Sequence, residues 1–134
     1  MNQKHVTSLE IAKQLAEAGI VIESEYQWEV GGKLSGKQNA TLVLRNRPPS
    51  FVSADSAWSF YPAPIATELL ERLPKYLTDE DDMNWHLNIS YDDYNTPYLS
   101  YQLNEMEWFN AVTADIAPNA LALLLIRLTK DGLI

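Results

Sequence analysis

The sequence contains no cysteine and only two histidines among its 134 residues. Without cysteine, disulfides, thiolate catalysis and every cysteine-based metal site are excluded. Apolar runs are also short, and none reaches the roughly 18 residues that a transmembrane helix requires. The first residues precede no apolar segment, so no signal peptide is predicted and a cytoplasmic location is expected.

Positive charge is missing from a long part of the chain, since residues 76–126 contain neither lysine nor arginine. The same segment holds nine acidic residues, which places the whole net charge of -8 in the C-terminal half. A field of one sign repels nucleic acid and accelerates association with a basic protein. The alternative is an acidic surface that only maintains solubility.

The length and the hydrophobic fraction of 46% fit one domain over residues 1–134. Helices are predicted over residues 8–18 and 64–73 and after Asp115, because apolar residues recur there at helical spacing. Period-two alternation predicts hairpins over residues 22–46 and 84–103. The order α-β-β-α-β-β-α predicts an α+β fold, with an antiparallel sheet of about four strands and helices packed on one face.

The ends of the helices carry specific signals. Thr7 is predicted to be the N-cap of the first helix, with Glu10 completing a capping box. Gly19 and Gly132 are predicted to end the first and last helices in the left-handed conformation. The segment after residue 103 is ambiguous, and a short further strand through Trp108 is an open alternative.

Catalytic motifs are absent from the sequence. No Gly-x-Ser-x-Gly occurs, and His86 is the only plausible general base. A small hydrolase using an aspartate and His86, and a weak cation site of Asp92 and Asp93 beside His86, are the minor alternatives. The sequence therefore predicts a protein with no enzymatic activity, no cofactor and no metal.

The second predicted hairpin combines acidic residues with tyrosines around its turn. Tyrosine is a preferred anchor of protein interfaces, because it buries a large area with few rotatable bonds. The predicted partner-binding residues are Asp79, Asp81, Asp82, Asp92, Asp93, Tyr94, Tyr98 and Tyr101. This pattern predicts an inhibitor-like or immunity-like protein that binds a basic protein. The alternative for Tyr98 and Tyr101 is half-burial on opposite faces of a strand.

Two other surfaces suggest different functions. The last helix is apolar on nearly every side, which is typical of a core helix or of a subunit contact, so a self-associating structural or assembly protein is an alternative. The only basic patch lies around the first hairpin, and four cations on an acidic chain make nucleic-acid binding the weakest hypothesis. The four are Lys33, Lys37, Arg45 and Arg47.

Four segments of the chain resemble a known family. They are residues 7–19, which begin Thr-Ser-Leu-Glu and end at Gly19, residues 24–28, residues 63–74 and residues 119–134. Together they resemble short uncharacterised proteins of phages and prophages. The resemblance implies a small cytosolic protein carried by a mobile element. It transfers no catalytic residue, because the matched residues are helix caps, core positions and helix ends.

Overall fold

A computed structural model of the chain describes residues 5–31, 39–44, 59–103 and 107–134. Within these residues it has three helices and seven strands. The helices are α1 (Leu9–Glu17), α2 (Ala66–Arg72) and α3 (Ala117–Lys130). The strands are β1 (Tyr26–Gly31), β2 (Asn39–Leu44), β3 (Ser59–Pro62), β4 (Tyr76–Thr78), β5 (Asn84–Tyr91), β6 (Pro97–Gln102) and β7 (Trp108–Thr113). The predicted α+β class is confirmed.

The strands form two antiparallel sheets, one with the order β2-β1-β3 and the other with the order β4-β5-β6-β7. Both predicted hairpins are present, as β1–β2 and β5–β6, but each belongs to its own sheet. The short strands β3 and β4 and the further strand β7 add to them, because an isolated hairpin leaves backbone groups unpaired at both edges. The predicted basic patch lies outside the described residues.

The predicted helix ends agree with the structure at the C-termini. Gly19 and Gly132 have φ values of 76° and 71°. After Gly19 the Ile20 N–H donates to the Leu15 carbonyl at 3.0 Å, and after Gly132 the Leu133 N–H donates to the Leu128 carbonyl at 2.9 Å. Both helices therefore end in a Schellman motif, which needs the left-handed residue that glycine adopts without strain.

The N-terminus of α1 differs from its prediction by one residue. The N-cap is Ser8, whose hydroxyl accepts a hydrogen bond from the Ile11 N–H at 3.4 Å. Thr7 is instead buried, and its carbonyl accepts the indole N–H of Trp28 at 2.9 Å. The tertiary contact with β1 therefore removes Thr7 from the capping position.

The main core lies between the four-stranded sheet and the helices. Helix α3 packs across β6 and β7, and α1 and α2 pack against α3. The helical spacing of its leucines predicts the buried face of α3, and each of the four is at most 2% exposed: Leu121, Leu124, Leu125 and Leu128. The apolar character of α3 is thus accounted for by burial within one chain, and it does not require a second copy.

A carboxylate links α2 to the segment that precedes β1. Glu68 accepts hydrogen bonds from the Ser24 hydroxyl at 2.8 Å, the Ile65 N–H at 2.9 Å and the Glu25 N–H at 3.2 Å. The Ser24 hydroxyl oxygen also lies 3.1 Å from the Ala63 carbonyl oxygen, which shares the single hydroxyl hydrogen with Glu68. These bonds satisfy the first turn of α2 and hold the smaller sheet against the helical layer.

Candidate functional site

Residues 91–98, which comprise the turn between β5 and β6 and the strand residues on either side of it, are called the tyrosine turn here. One carboxylate oxygen of Asp92 accepts hydrogen bonds from the backbone N–H groups of Tyr94 at 2.8 Å and Thr96 at 2.9 Å. The other accepts the Tyr98 hydroxyl at 3.5 Å. Asn95 takes the left-handed conformation with φ 64°, as a type I turn followed by a bulge requires. The Asp92 side chain therefore holds the backbone of the turn together with two backbone hydrogen bonds, from Asn95 N–H to the Asp92 carbonyl and from Asp92 N–H to the Thr96 carbonyl.

The turn between β4 and β5 repeats this geometry. The Asp79 carboxylate accepts the backbone N–H groups of Asp81 and Met83, each at 2.9 Å, and the indole N–H of Trp85 at 2.9 Å. Asp82 is left-handed with φ 59°. In both turns an aspartate is followed by Asn or Asp three residues later and by an aromatic residue six residues later. That spacing is visible in the sequence at positions 79 and 92, and it was not predicted.

The two turns differ in the side chain at their tip. Tyr94 is 90% exposed, whereas its counterpart Asp81 is acidic. Tyr91 and Tyr98 flank the tyrosine turn at 55% and 45% exposure. The alternation along β5 predicts that Tyr91 lies on the core face with Trp85 and Leu87. That prediction is wrong, because Tyr91 is exposed at the end of β5, which the helical layer does not cover. The tyrosine turn thus presents three aromatic rings at a rigid, acidic tip.

The predicted acidic surface is divided by the fold. The two turns lie at opposite ends of β5, seven residues apart, which corresponds to roughly 23 Å along an extended strand. Asp79, Asp81 and Asp82 therefore lie far from Asp92 and Asp93, and only the latter two share a site with Tyr94 and Tyr98. The nine acidic residues of segment 76–126 therefore do not form one compact contact site.

Tyr101 is a core residue and not part of a binding surface. It is fully buried, its hydroxyl donates to the Pro74 carbonyl at 2.7 Å, and its ring stacks on Phe109 with the centroids 5.9 Å apart. Burial raises its pKa to about 12. The prediction that Tyr101 contacts a partner is wrong, because residue 101 alternates onto the helix-covered face while Tyr98 lies on the open face.

His86 lies apart from the aspartates with which the sequence grouped it. His86 lies on β5, six residues before Asp92, which corresponds to roughly 20 Å along an extended strand. Its ring makes an edge contact with the Tyr76 ring, with the centroids 4.9 Å apart. In the described part of the chain no group of three or more histidine and acidic side chains is placed to hold a metal ion. The cation site considered for Asp92, Asp93 and His86 is therefore not formed.

The outer face of the four-stranded sheet, opposite the helices, carries a further group of side chains. Tyr76, His86, Gln102 and Trp108 lie side by side across the four strands, because each is the register partner of the next. Polar residues of β5 and β6 continue this face toward the tyrosine turn. The alternation along β5 predicts a second face of His86, Asn88 and Ser90. Trp108 joins this face only through the pairing of β7 with β6.

Substitution of Asp92 by alanine is expected to lower the melting temperature more than substitution of its neighbour Asp93. The hydrogen bonds to Asp92, chiefly that from the Thr96 N–H, hold the pKa of this carboxyl below its ordinary value of 3.8. A depressed pKa stabilises the fold above pH 3.8, and the stabilisation is lost as pH falls through the lower folded pKa. Thermal melts by circular dichroism from neutral to strongly acidic pH measure both effects.

The control for this prediction is Asp93→Ala, which removes an acidic residue for which no hydrogen bond is found within the described ranges. We expect the difference in melting temperature between Asp92→Ala and the wild type to shrink as pH falls below 3.8. Equal melting temperatures for the Asp92 and Asp93 variants at neutral pH would contradict the role of Asp92 in the turn.

No helix in the described part of the chain is both long and apolar enough to cross a membrane. Comparison of the chain with protein-family models, with curated proteins and with solved structures finds no match. Over the residues that the structure describes, the protein has an α+β architecture of two antiparallel sheets and three helices. Its functional assignment accordingly rests on the geometry of its surface.

Proposed function

We propose that this protein acts without catalysis, by contact with a basic partner protein, and that the tyrosine turn is its contact site. The observation that carries the proposal is the 90% exposure of Tyr94 on a turn whose backbone is held by the Asp92 carboxylate. A tyrosine presented in this way loses little conformational entropy when it is buried in an interface.

Charge supports the choice of partner. Asp93 lies beside Tyr94, and no lysine or arginine occurs within residues 76–126. A partner with a basic patch gains attraction at a distance and meets no competing cation within this segment. An inhibitory or immunity-like role and a mobile-element origin are part of the same proposal, and their support is the small acidic chain and the resemblance of its helices.

Substitution of Tyr94 by alanine is expected to weaken partner binding at least roughly tenfold, because interface tyrosines often contribute more than about 1.4 kcal/mol. Asp81→Ala is the matched control, since Asp81 occupies the same position of the twin turn. The measurement is affinity capture from a cell lysate on the immobilised full chain and on both variants. The captured protein is then purified for titration.

The expected result is a basic protein that the wild type and Asp81→Ala retain, that Tyr94→Ala does not retain, and that leaves as salt rises. Equal retention by both variants would remove the tyrosine turn from the interface. Retention that salt does not affect would contradict the electrostatic part of the proposal. A complex of this chain with itself would favour the assembly role instead.

A further inference from the structure

An open depression of about 410 Å³ lies on the outer face of the four-stranded sheet, between β6 and β7. This volume falls in the range of roughly 300 to 1,000 Å³ that is usual for small-molecule sites. Its lining includes Tyr98 and Trp108, together with three polar residues of β5 and β6 that are called the floor here: Asn88, Ser100 and Gln102. The depression therefore combines aromatic surfaces with amide and hydroxyl groups.

None of the described residues that line this depression is charged, although the chain has a net charge of -8. A phosphate or carboxylate ligand would find no cation here and would be repelled by the acidic surroundings. A cationic ligand would find no carboxylate in the lining. The lining therefore favours a neutral ligand.

The two rings stand at opposite ends of the depression. Trp108 is the register partner of Gln102, which lies four residues after Tyr98 on β6, or roughly 13 Å along the strand. Both rings are accessible, with 57% of Trp108 and 45% of Tyr98 exposed. The Tyr98 hydroxyl donates to the Asp92 carboxylate at 3.5 Å, and this contact restricts the orientation of the Tyr98 ring. A ligand that uses both rings must be longer than a single small ring.

The floor offers hydrogen-bonding groups that the fold itself does not use. For the Asn88 amide, which is partly buried, no hydrogen bond is found among the described residues. The Gln102 amide donates to the Ser100 hydroxyl at 3.4 Å through its nitrogen, and this leaves its oxygen as an acceptor. An amide has two donors and an acceptor, which suits adjacent hydroxyl groups of a ligand.

We infer that this depression binds a short neutral oligosaccharide. A pyranose ring has apolar C–H faces that stack on tyrosine and tryptophan, whose ring faces carry partial negative charge. Its hydroxyl groups both donate and accept, and thereby match the amides and hydroxyls of the floor. Two aromatic ends with a polar floor between them accommodate linked sugar units better than one.

The test is a titration of the isotope-labelled full chain with maltotriose, cellotriose and chitotriose, followed by the amide and indole resonances in two-dimensional NMR. We expect at least one trisaccharide to give saturable shifts in the millimolar range that include the Trp108 indole. The corresponding monosaccharide is expected to bind more weakly, because it reaches only one ring.

Trp108→Ala is expected to weaken trisaccharide binding about fivefold or more. Tyr76→Ala is the matched control, since Tyr76 is 56% exposed on the same sheet face but does not line the depression. Asn88→Ala, at the floor, is expected to weaken binding as well. If the NMR spectrum of Trp108→Ala lacks the dispersion of a folded chain, the Asn88→Ala variant replaces it in the test.

Three outcomes would overturn the inference. One is the absence of saturable shifts with all three trisaccharides while the protein remains folded. Another is an equal loss of affinity in the Trp108 and Tyr76 variants, which would point to a general effect on the sheet. The third is saturable binding of adenosine at these residues in place of the sugars. The proposed protein contact at Tyr94 stands or falls independently of each.

Discussion

Replacement of Leu124 by alanine is expected to lower the free energy of unfolding by about 2 to 5 kcal/mol. The side chain is fully buried in the middle of α3, within the core between the helices and the four-stranded sheet. Truncation removes apolar contacts and leaves a cavity, because neighbours such as Leu125 and Leu128 are themselves packed on other elements. Urea unfolding, followed by circular dichroism, measures the loss.

The matched control is Leu70→Ala, which truncates a leucine of α2 that is 38% exposed. It is expected to cost clearly less, since a half-exposed side chain loses less burial and leaves no closed cavity. The measurement also separates core packing from self-association. If α3 packs within the chain, the midpoint for the Leu124 variant is independent of protein concentration. A midpoint that rises with concentration would restore the self-association alternative.

Replacement of Tyr101 by phenylalanine is expected to lower the free energy of unfolding by about 1 to 3 kcal/mol. The change removes only the hydroxyl, and it leaves the Pro74 carbonyl without the donor that lies 2.7 Å away. Tyr98→Phe is the matched control on the same strand, and about 0.5 kcal/mol or less is expected because Tyr98 is half-exposed. Equal effects of the two substitutions would contradict the assignment of Tyr101 to the core.

The difference in unfolding free energy between the wild type and Tyr101→Phe is expected to depend on alkaline pH. The pKa of Tyr101 is raised from 10.0 to about 12 by burial, so the folded state disfavours the phenolate. This contribution to stability is complete below pH 10, and it is lost as pH rises from 10 to 12. The stability difference between the wild type and Tyr101→Phe is therefore expected to narrow over this interval. A constant difference would show that the phenol is accessible to solvent.

The two proposed sites use different parts of one sheet. The partner contact uses the tip of the tyrosine turn, where Tyr94 is almost fully exposed. The sugar site uses the face opposite the helices, where Trp108 and Asn88 lie. Tyr98 is the one side chain that both sites share, which places a sugar ligand next to the protein contact. Substitutions at Tyr94 and at Trp108 separate the two activities.

Local patterns in the sequence were sufficient for most of the secondary structure. The three helices and the two hairpins were predicted because each depends on spacing within one segment. Gly19 and Gly132 mark helix ends for the same local reason, since a left-handed residue can be recognised without knowledge of its neighbours in space. Thr7 is the exception, because its burial against Trp28 is a contact between distant parts of the chain.

The candidate sites depended more strongly on tertiary structure. Asp79 and Asp92 were recognised as acidic residues, but only the fold assigns their carboxylates to turn backbones and separates them along β5. Tyr98 and Tyr101 are three residues apart on one strand. Because side chains of a strand alternate between its faces, Tyr98 lies on the open face and Tyr101 lies in the core.

The sequence by itself determined the α+β class, the helix boundaries within a few residues and the location of negative charge, because these properties belong to contiguous segments. The division into two sheets and the position of Trp108 beside Gln102 were decided only by the tertiary structure. The physical reason is that strand pairing and face assignment depend on which distant segments compete for each sheet edge and each apolar surface.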